Sequence, residues 1–245
     1  MDFKKLATLG LVGLLTTYLG IQTIISKPLT KKLETTNLSL YRLNQFCFEI
    51  SDKVGIAARE QRTTPERFLH QKGNENILGV LNGPYFDVNE KTEGLVFLSE
   101  KYYFGTQKQE DIRGYFTINK TGSEIKVKEK LDNKINDYWL VIGTHPILVT
   151  DGTINKQVEE IRYNGIRSHR SAVGTSNGKN ICFAVSYNKL TMYEFAKALV
   201  LNNYKGAINL DGNGESQLTI RDNDKIITYG QGTVDTSLVI FAYRK

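Results

Sequence analysis

The run from Ala207 to Ile220, AINLDGNGESQLTI, gathers groups able to do chemistry in one short space. Ala207, Ile208 and Leu210 form a β-compatible apolar run that stops at Asp211-Gly212, a pair that tolerates turn conformations other residues resist. A carboxylate is thereby held at a strand end. Gly212 and Gly214 let backbone N–H groups approach a ligand closely, and successive N–H groups in such a turn form a concave anion site. Asn213, Glu215 and Ser216 add an amide, a second carboxylate and a hydroxyl. Asp-Gly between two strand-like runs is also the strongest short-range signal for a β-hairpin, which needs no ligand. Both readings, hairpin and active-site floor, stand at this point.

Three further places repeat the theme of a polar group where an apolar run ends. Ile77 to Leu81 leads into Asn82-Gly83-Pro84-Tyr85-Phe86-Asp87. Asn82 both donates and accepts, and Asp87 is an acid on a loop stiffened by Pro84 and anchored by two aromatics. The plainer reading is an ordinary loop with core aromatics. Arg162 to Arg170 carries three arginines and His169 just before Ser171-Ala172-Val173-Gly174. Arg170 is suited to grip a phosphate with two parallel hydrogen bonds, or equally to a surface salt bridge. His145 lies at the bend Gly143-Thr144-His145-Pro146 and is either a donor to substrate or a structural histidine. His70 reads as a polar residue near a helix end.

The elements that must position these groups are mostly short strands. Strand-like runs cover Leu40 to Ile50, Val54 to Ala58, Ile77 to Leu81, Gly94 to Leu98, Tyr102 to Gly105, Gly114 to Ile118, Glu124 to Val127, Ile181 to Ser186 and Val234 to Tyr243. Two helices are expected. One starts at Thr63 or Thr64 before Pro65 and Glu66 and runs to about Gln71. The other runs from Thr191 to about Asn202, with Met192, Phe195, Ala196, Leu199 and Val200 on one face and a Thr191/Glu194 capping box. The expected fold is α+β: a single domain built on a twisted mixed β-sheet of many short strands with few helices, plus an N-terminal hydrophobic helix.

Leu6 to Ile25 has no charge and is long enough to cross a bilayer, so residues 1–26 read as a signal anchor or signal peptide, 27–37 as a linker and 38–245 as the folded domain. Lysines flank the segment on both sides and leave its orientation open. The expected location is membrane-anchored or exported, with the domain outside the cytoplasm. The net charge of +6 is spread along the chain without an arginine-rich run or aromatic-basic alternation, which argues against nucleic acid as a partner. Cys47 and Cys182 are far apart and lack histidines at metal spacing. They read as two buried thiols, with a disulfide plausible only in an oxidising compartment.

NGPYFD, HRSAVG, the helix from Thr191 and INLDGNGES together resemble, in order and spacing, the motifs of the phosphodiester glycosidase family. The likeness runs from about Leu38 to the carboxyl terminus. It implies that Asn82, Asp87, Arg170, Asp211, Gly212 and Ser216 lie in or beside the site. This chain departs from the pattern at Asn213, where the family usually has glycine, at Glu215, where it usually has serine, and at Pro84. An added carboxylate near a phosphodiester repels it unless protonated, metal-bound or turned away.

The resemblance implies hydrolysis of a sugar-1-phosphodiester at the glycosidic bond, with a glycan or sugar-phosphodiester as substrate and the membrane as a partner through the N-terminal helix. Asp87 and Asp211 are the expected catalytic carboxylates, since C–O cleavage through an oxocarbenium-like state draws on acid or base help. Asn82, His145, Arg170, Gly212, Asn213, Gly214, Glu215 and Ser216 are the expected substrate-binding residues. No organic cofactor is expected, and a divalent cation is possible. Two other classes fit the same residues: a membrane-tethered glycan-binding module, and a metal-dependent phosphodiesterase using Asp87, Asp211 and Glu215 as oxygen ligands.

Overall fold

Most strands of this chain are apolar on both faces, and the architecture follows from the need to cover both. The computed structural model describes residues 41–51, 54–86, 93–98, 102–104, 112–122, 124–131, 135–160 and 165–245. The expected N-terminal helix, the linker and Asp87 lie outside these. The described residues belong to one compact unit. They form three sheets. The first runs in the order β1 (Leu43–Glu49), β12 (Asn180–Ser186), β11 (Ser171–Thr175), β13 (Gly206–Asn209), β9 (Ile147–Thr150) and β10 (Thr153–Ile154). The second is β15 (Lys225–Gly230), β14 (Gln217–Asp222), β3 (Ile77–Asn82), β16 (Thr236–Arg244) and β2 (Val54–Thr63). The third is β5 (Tyr102–Phe104), β4 (Leu95–Leu98), β8 (Tyr138–Thr144), β6 (Gly114–Asn119) and β7 (Ile125–Lys128).

All pairings among these strands are antiparallel, and there are three sheets where one mixed sheet was expected. The reason lies in the packing. One face of each sheet meets a shared central core containing Phe183 and Ile208, Leu81 and Ile240, and Phe116 and Ile142. Alternate residues point outward into separate layers. The helix Met192–Leu201 covers Ala172, Cys182 and Ala184 of the first sheet. The helix Pro65–His70 covers Val80, Val239 and Phe241 of the second. On the third, Phe97, Tyr115 and Val141 form their own cluster. Continuous apolar runs, usual for parallel strands, arise here because antiparallel strands are buried on both sides.

Local signals place both helices. Thr64 Oγ1 accepts from Arg67 N at 3.2 Å, with Pro65 at the first helical position. Thr191 Oγ1 accepts from Glu194 N at 3.1 Å, and Glu194 Oε2 accepts from Thr191 N at 2.8 Å. Glu194 also accepts from Arg167 Nη1 at 2.9 Å, tying this helix start to the chain that leads into Arg170. Among the described residues no helix is long and apolar enough to cross a membrane.

The cysteines are not free thiols. Antiparallel pairing of β1 with β12 sets Cys47 directly opposite Cys182, and the two form a disulfide across 135 residues of chain. It fastens an edge strand to the first sheet. Replacing both cysteines by alanine is expected to lower the unfolding free energy by about 2–4 kcal/mol. A urea midpoint that does not move would show that strand pairing alone holds β1.

Candidate active site

Asn82 is the last residue of β3 and is fully buried. Its Nδ2 donates to Ser171 Oγ at 2.9 Å and to the Asp211 carbonyl at 3.0 Å, while its Oδ1 accepts from Gln217 N at 3.3 Å. Ser171 Oγ in turn donates to the Asp211 carbonyl at 2.5 Å. Asp211 N donates to Gly83 O at 3.2 Å. The backbone of Asp211 is therefore clamped from β3 of the second sheet and β11 of the first. Gly83 must lack a side chain, because a Cβ there would stand 2.7 Å from the Leu238 carbonyl that its N–H binds. The strands flanking Asp211-Gly212 belong to different sheets, β13 to the first and β14 to the second, so the segment is a bridge and not a hairpin.

With its backbone held, Asp211 keeps a half-buried carboxylate that accepts from Gly212 N at 2.7 Å. Burial pushes its pKa up to about 7, the charges of Glu215 and Glu93 push the same way, and the Gly212 N–H opposes them. Burial also raises the Glu215 carboxyl. The buried Arg170 donates from Nε to Leu190 O at 3.2 Å and from Nη2 to Ile166 O at 2.7 Å. Its Nη1 lies about 4.0 Å from where a Cβ on Gly212 would stand. Two of its five N–H donors are thus used on carbonyls, leaving both of those on Nη1 and one on Nη2. Among the described residues no carboxylate lies within ion-pair distance of this guanidinium. Burial lowers its pKa, yet an arginine remains a cation.

Tyr85 joins the same electrostatic neighbourhood. Its hydroxyl accepts a short hydrogen bond from Asn209 Nδ2, and its ring stacks on His145 with centroids 5.2 Å apart. Burial raises the phenol to about 12, with Asp211 adding to the shift and Arg170 opposing it. His145 thus lies against the ring of Tyr85.

The remaining expected residues divide by what they touch. Asn213 has φ of +58°, a left-handed conformation in which asparagine is the usual substitute for glycine, so its departure from the motif keeps the backbone geometry. Its N–H donates to His169 O at 3.0 Å and its side-chain oxygen accepts from Ser168 Oγ. Gly214 packs under Thr233 and Val234, where a Cβ would meet both at 2.8 Å. Ser216 is fully buried, and its hydroxyl has no partner among the described residues. Asp87 lies outside the described residues. Among those described, no group of three His, Cys, Asp or Glu is placed to hold a metal ion. Tyr85, Ser171 and Asn209 were not singled out from sequence, and Asn209 stood in plain view two residues before Asp211. A separate hollow of about 110 Å³, lined by residues including Trp139, Thr121 and Lys245, lies at the other end of β8, about 20 Å from Thr144 by strand length. It contains none of these groups.

The sequence pattern of the phosphodiester glycosidases matches residues 74–241, more than half of the chain. The chain belongs to the phosphodiester glycosidase family. Solved structures share its fold, two among them the following. The zebrafish N-acetylglucosamine-1-phosphodiester alpha-N-acetylglucosaminidase catalytic domain, auto-inhibited by its pro-peptide, aligns with a TM-score of 0.61 at 19% identity, covering 86% of each chain. A hypothetical protein from Synechocystis aligns with a TM-score of 0.52 at 11% identity, covering 83% of this chain and 59% of its own. No curated protein matches the sequence. The family match spans β3 through most of β16, which includes every segment that meets at Asp211.

Two outcomes follow from the clamp and the raised carboxyl. Asn82→Ala leaves Gln217 N without its acceptor and the Asp211 carbonyl without one donor, and is expected to cost about 2–3 kcal/mol in unfolding free energy. A loss below 1 kcal/mol would deny Asn82 this role. Asp211 binds a proton in the folded state that it has already released in the unfolded chain, so its contribution to stability is present below about pH 4 and is lost as pH rises through about 7. Asp211→Asn is therefore expected to match the wild type in Tm near pH 4 and to exceed it by roughly 8–15 °C at pH 8. Parallel Tm curves across that range would place the carboxylate in water.

Proposed function

We propose that this protein hydrolyses a sugar-1-phosphodiester at the glycosidic C–O bond, releasing free sugar and a phosphomonoester. The observation that carries the reading is a buried guanidinium without a carboxylate partner among the described residues, close to Gly212, whose neighbour in the chain, Asp211, carries a carboxyl poised near neutral pH. A buried cation of this kind favours an anionic ligand. A carboxyl that titrates near 7 serves either as proton donor or as proton acceptor.

In this reading Arg170 Nη1 and the Gly212 region hold the phosphate against Asp211. The C1–O bond breaks, its electron pair stays on the phosphate oxygen, and water supplies the new oxygen at C1. The water's proton passes to a carboxylate. Asp211 and Asp87 are assigned the acid–base or nucleophilic work, with Asn82 as the residue that positions Asp211. A phosphomonoester leaves readily, so charge stabilisation outweighs strong protonation. Burial raises the Glu215 carboxyl and so favours its neutral form, which reduces its repulsion of a bound diester. The substrate class is a phosphoglycan or related glycoconjugate. The disulfide supports an exported, oxidising setting, with the apolar segment Leu6 to Ile25 as the tether.

The test is a panel of sugar-1-phosphate 4-nitrophenyl diesters, led by that of N-acetylglucosamine, assayed in ¹⁸O-water with and without chelator. Label at sugar C1 marks C–O cleavage. Label in phosphate, or loss of turnover with chelator, favours a metal-dependent phosphodiesterase, and binding without turnover favours a glycan-binding module. Within the proposal, Asp211→Asn is expected to lower kcat about 10³-fold and leave binding largely intact. Arg170→Lys is expected to raise KM about tenfold or more, because an ammonium cannot hold two carbonyls and still face the phosphate.

A further inference from the structure

The phenol of Tyr85 has a proton to give and, among the described residues, no acceptor for it. Asn209 Nδ2 donates both to the Leu210 carbonyl, at 2.8 Å, and to the Tyr85 hydroxyl. A carbonyl only accepts, so the nitrogen and not the oxygen of the Asn209 amide must face this pair. The Tyr85 oxygen is therefore an acceptor in that contact, and its own O–H points elsewhere. The ring cannot swing away, since it lies on the His145 imidazole and the Tyr85 carbonyl accepts from Glu93 N at 2.6 Å. The bond to Asn209, the last residue of β13, holds the phenol against the strand end two residues before Asp211, and Asp211 and Arg170 both act on it electrostatically.

Resting on the hydrolytic reading above, we propose that Tyr85 is a catalytic residue that donates a hydrogen bond to the phosphate oxygen departing from C1, with Asn209 as the residue that aims it. An anion drawn to the Arg170 cation has its oxygens within the phenol's neighbourhood. As the C1–O bond breaks, negative charge grows on the bridging oxygen, and a neutral O–H fixed beforehand binds the transition state more tightly than the ground state. The phenol stays protonated throughout, because burial holds its pKa far above neutral. No proton is transferred from it. The electron pair remains on the phosphomonoester, and the water-derived proton leaves through the carboxylates.

Tyr85→Phe keeps the ring on His145 and removes only the O–H. With the 4-nitrophenyl diester, kcat is expected to fall about 10²-fold or more while KM stays within threefold and Tm within about 2 °C. Binding of a sugar-1-C-phosphonate, which has CH₂ in place of the bridging oxygen, is expected to be unchanged in this variant. Asn209→Ala leaves the hydroxyl unaimed and is expected to lower kcat about tenfold with the same unchanged phosphonate affinity. A Tyr85→Phe enzyme with wild-type kcat overturns the proposal. So does an equal loss in kcat/KM and phosphonate affinity, which would make Tyr85 a ground-state contact. A wild type inactive on every diester removes the hydrolytic reading and this role together. An active wild type with an unaffected variant removes only the role of Tyr85.

Discussion

One buried amide holds the site together. Asn82 ends the central strand of the second sheet and hydrogen-bonds to Ser171 of the first sheet, to the carbonyl of Asp211 where the chain leaves that sheet, and to Gln217 where it enters the second. An amide is the one uncharged side-chain group that donates twice and accepts twice from a single plane, so it can satisfy groups arriving from several directions without burying a charge. Gln217 extends the link, since its side-chain oxygen accepts from Glu66 N at 3.0 Å in the first turn of the Pro65–His70 helix. The result is a rigid floor on which a half-buried acid can stand.

The floor matters because the groups above it are electrostatically expensive. A buried guanidinium, a half-buried tyrosine and two carboxyls with raised pKa values share one region. Left mobile, they would turn to water or to one another. Arg170 is restrained by carbonyls of Leu190 and Ile166, Tyr85 by Asn209 and His145, and Asp211 through its backbone. Arg170 and Asp211 are held through backbone carbonyls, a hydroxyl and an amide, so among the described residues their charges are positioned without being neutralised. Sites that act on charged substrates show this economy, in which fixed dipoles do the holding and ionic groups stay available.

The three-sheet architecture supplies the rigidity behind these contacts. A central core with members from all three sheets fixes where their strands end, and the outer layers keep the sheets from shearing. The disulfide reinforces the first sheet at its edge strand, at Cys182 of the neighbouring β12.

The sequence alone determined the local structure. Period-two and helical patterning, the Thr64 and Thr191 caps and the Gly-rich turn around Asp211 act over a few residues, and the strands and helices they announce are present, with β2 longer than read and β10, β15 and the short helix Gln157–Glu160 unannounced. The sequence motifs also pointed to the family. Only the tertiary structure decided what those elements do to one another. Whether Asp211-Gly212 turns a hairpin or bridges two sheets depends on which strands pair, and Asn82 meets Ser171 and Asp211 across 89 and 129 residues. Cys47 meets Cys182 across 135. The raised pKa of Asp211 and the lowered pKa of Arg170 are consequences of burial, and burial belongs to the packed assembly, since no residue removes itself from water.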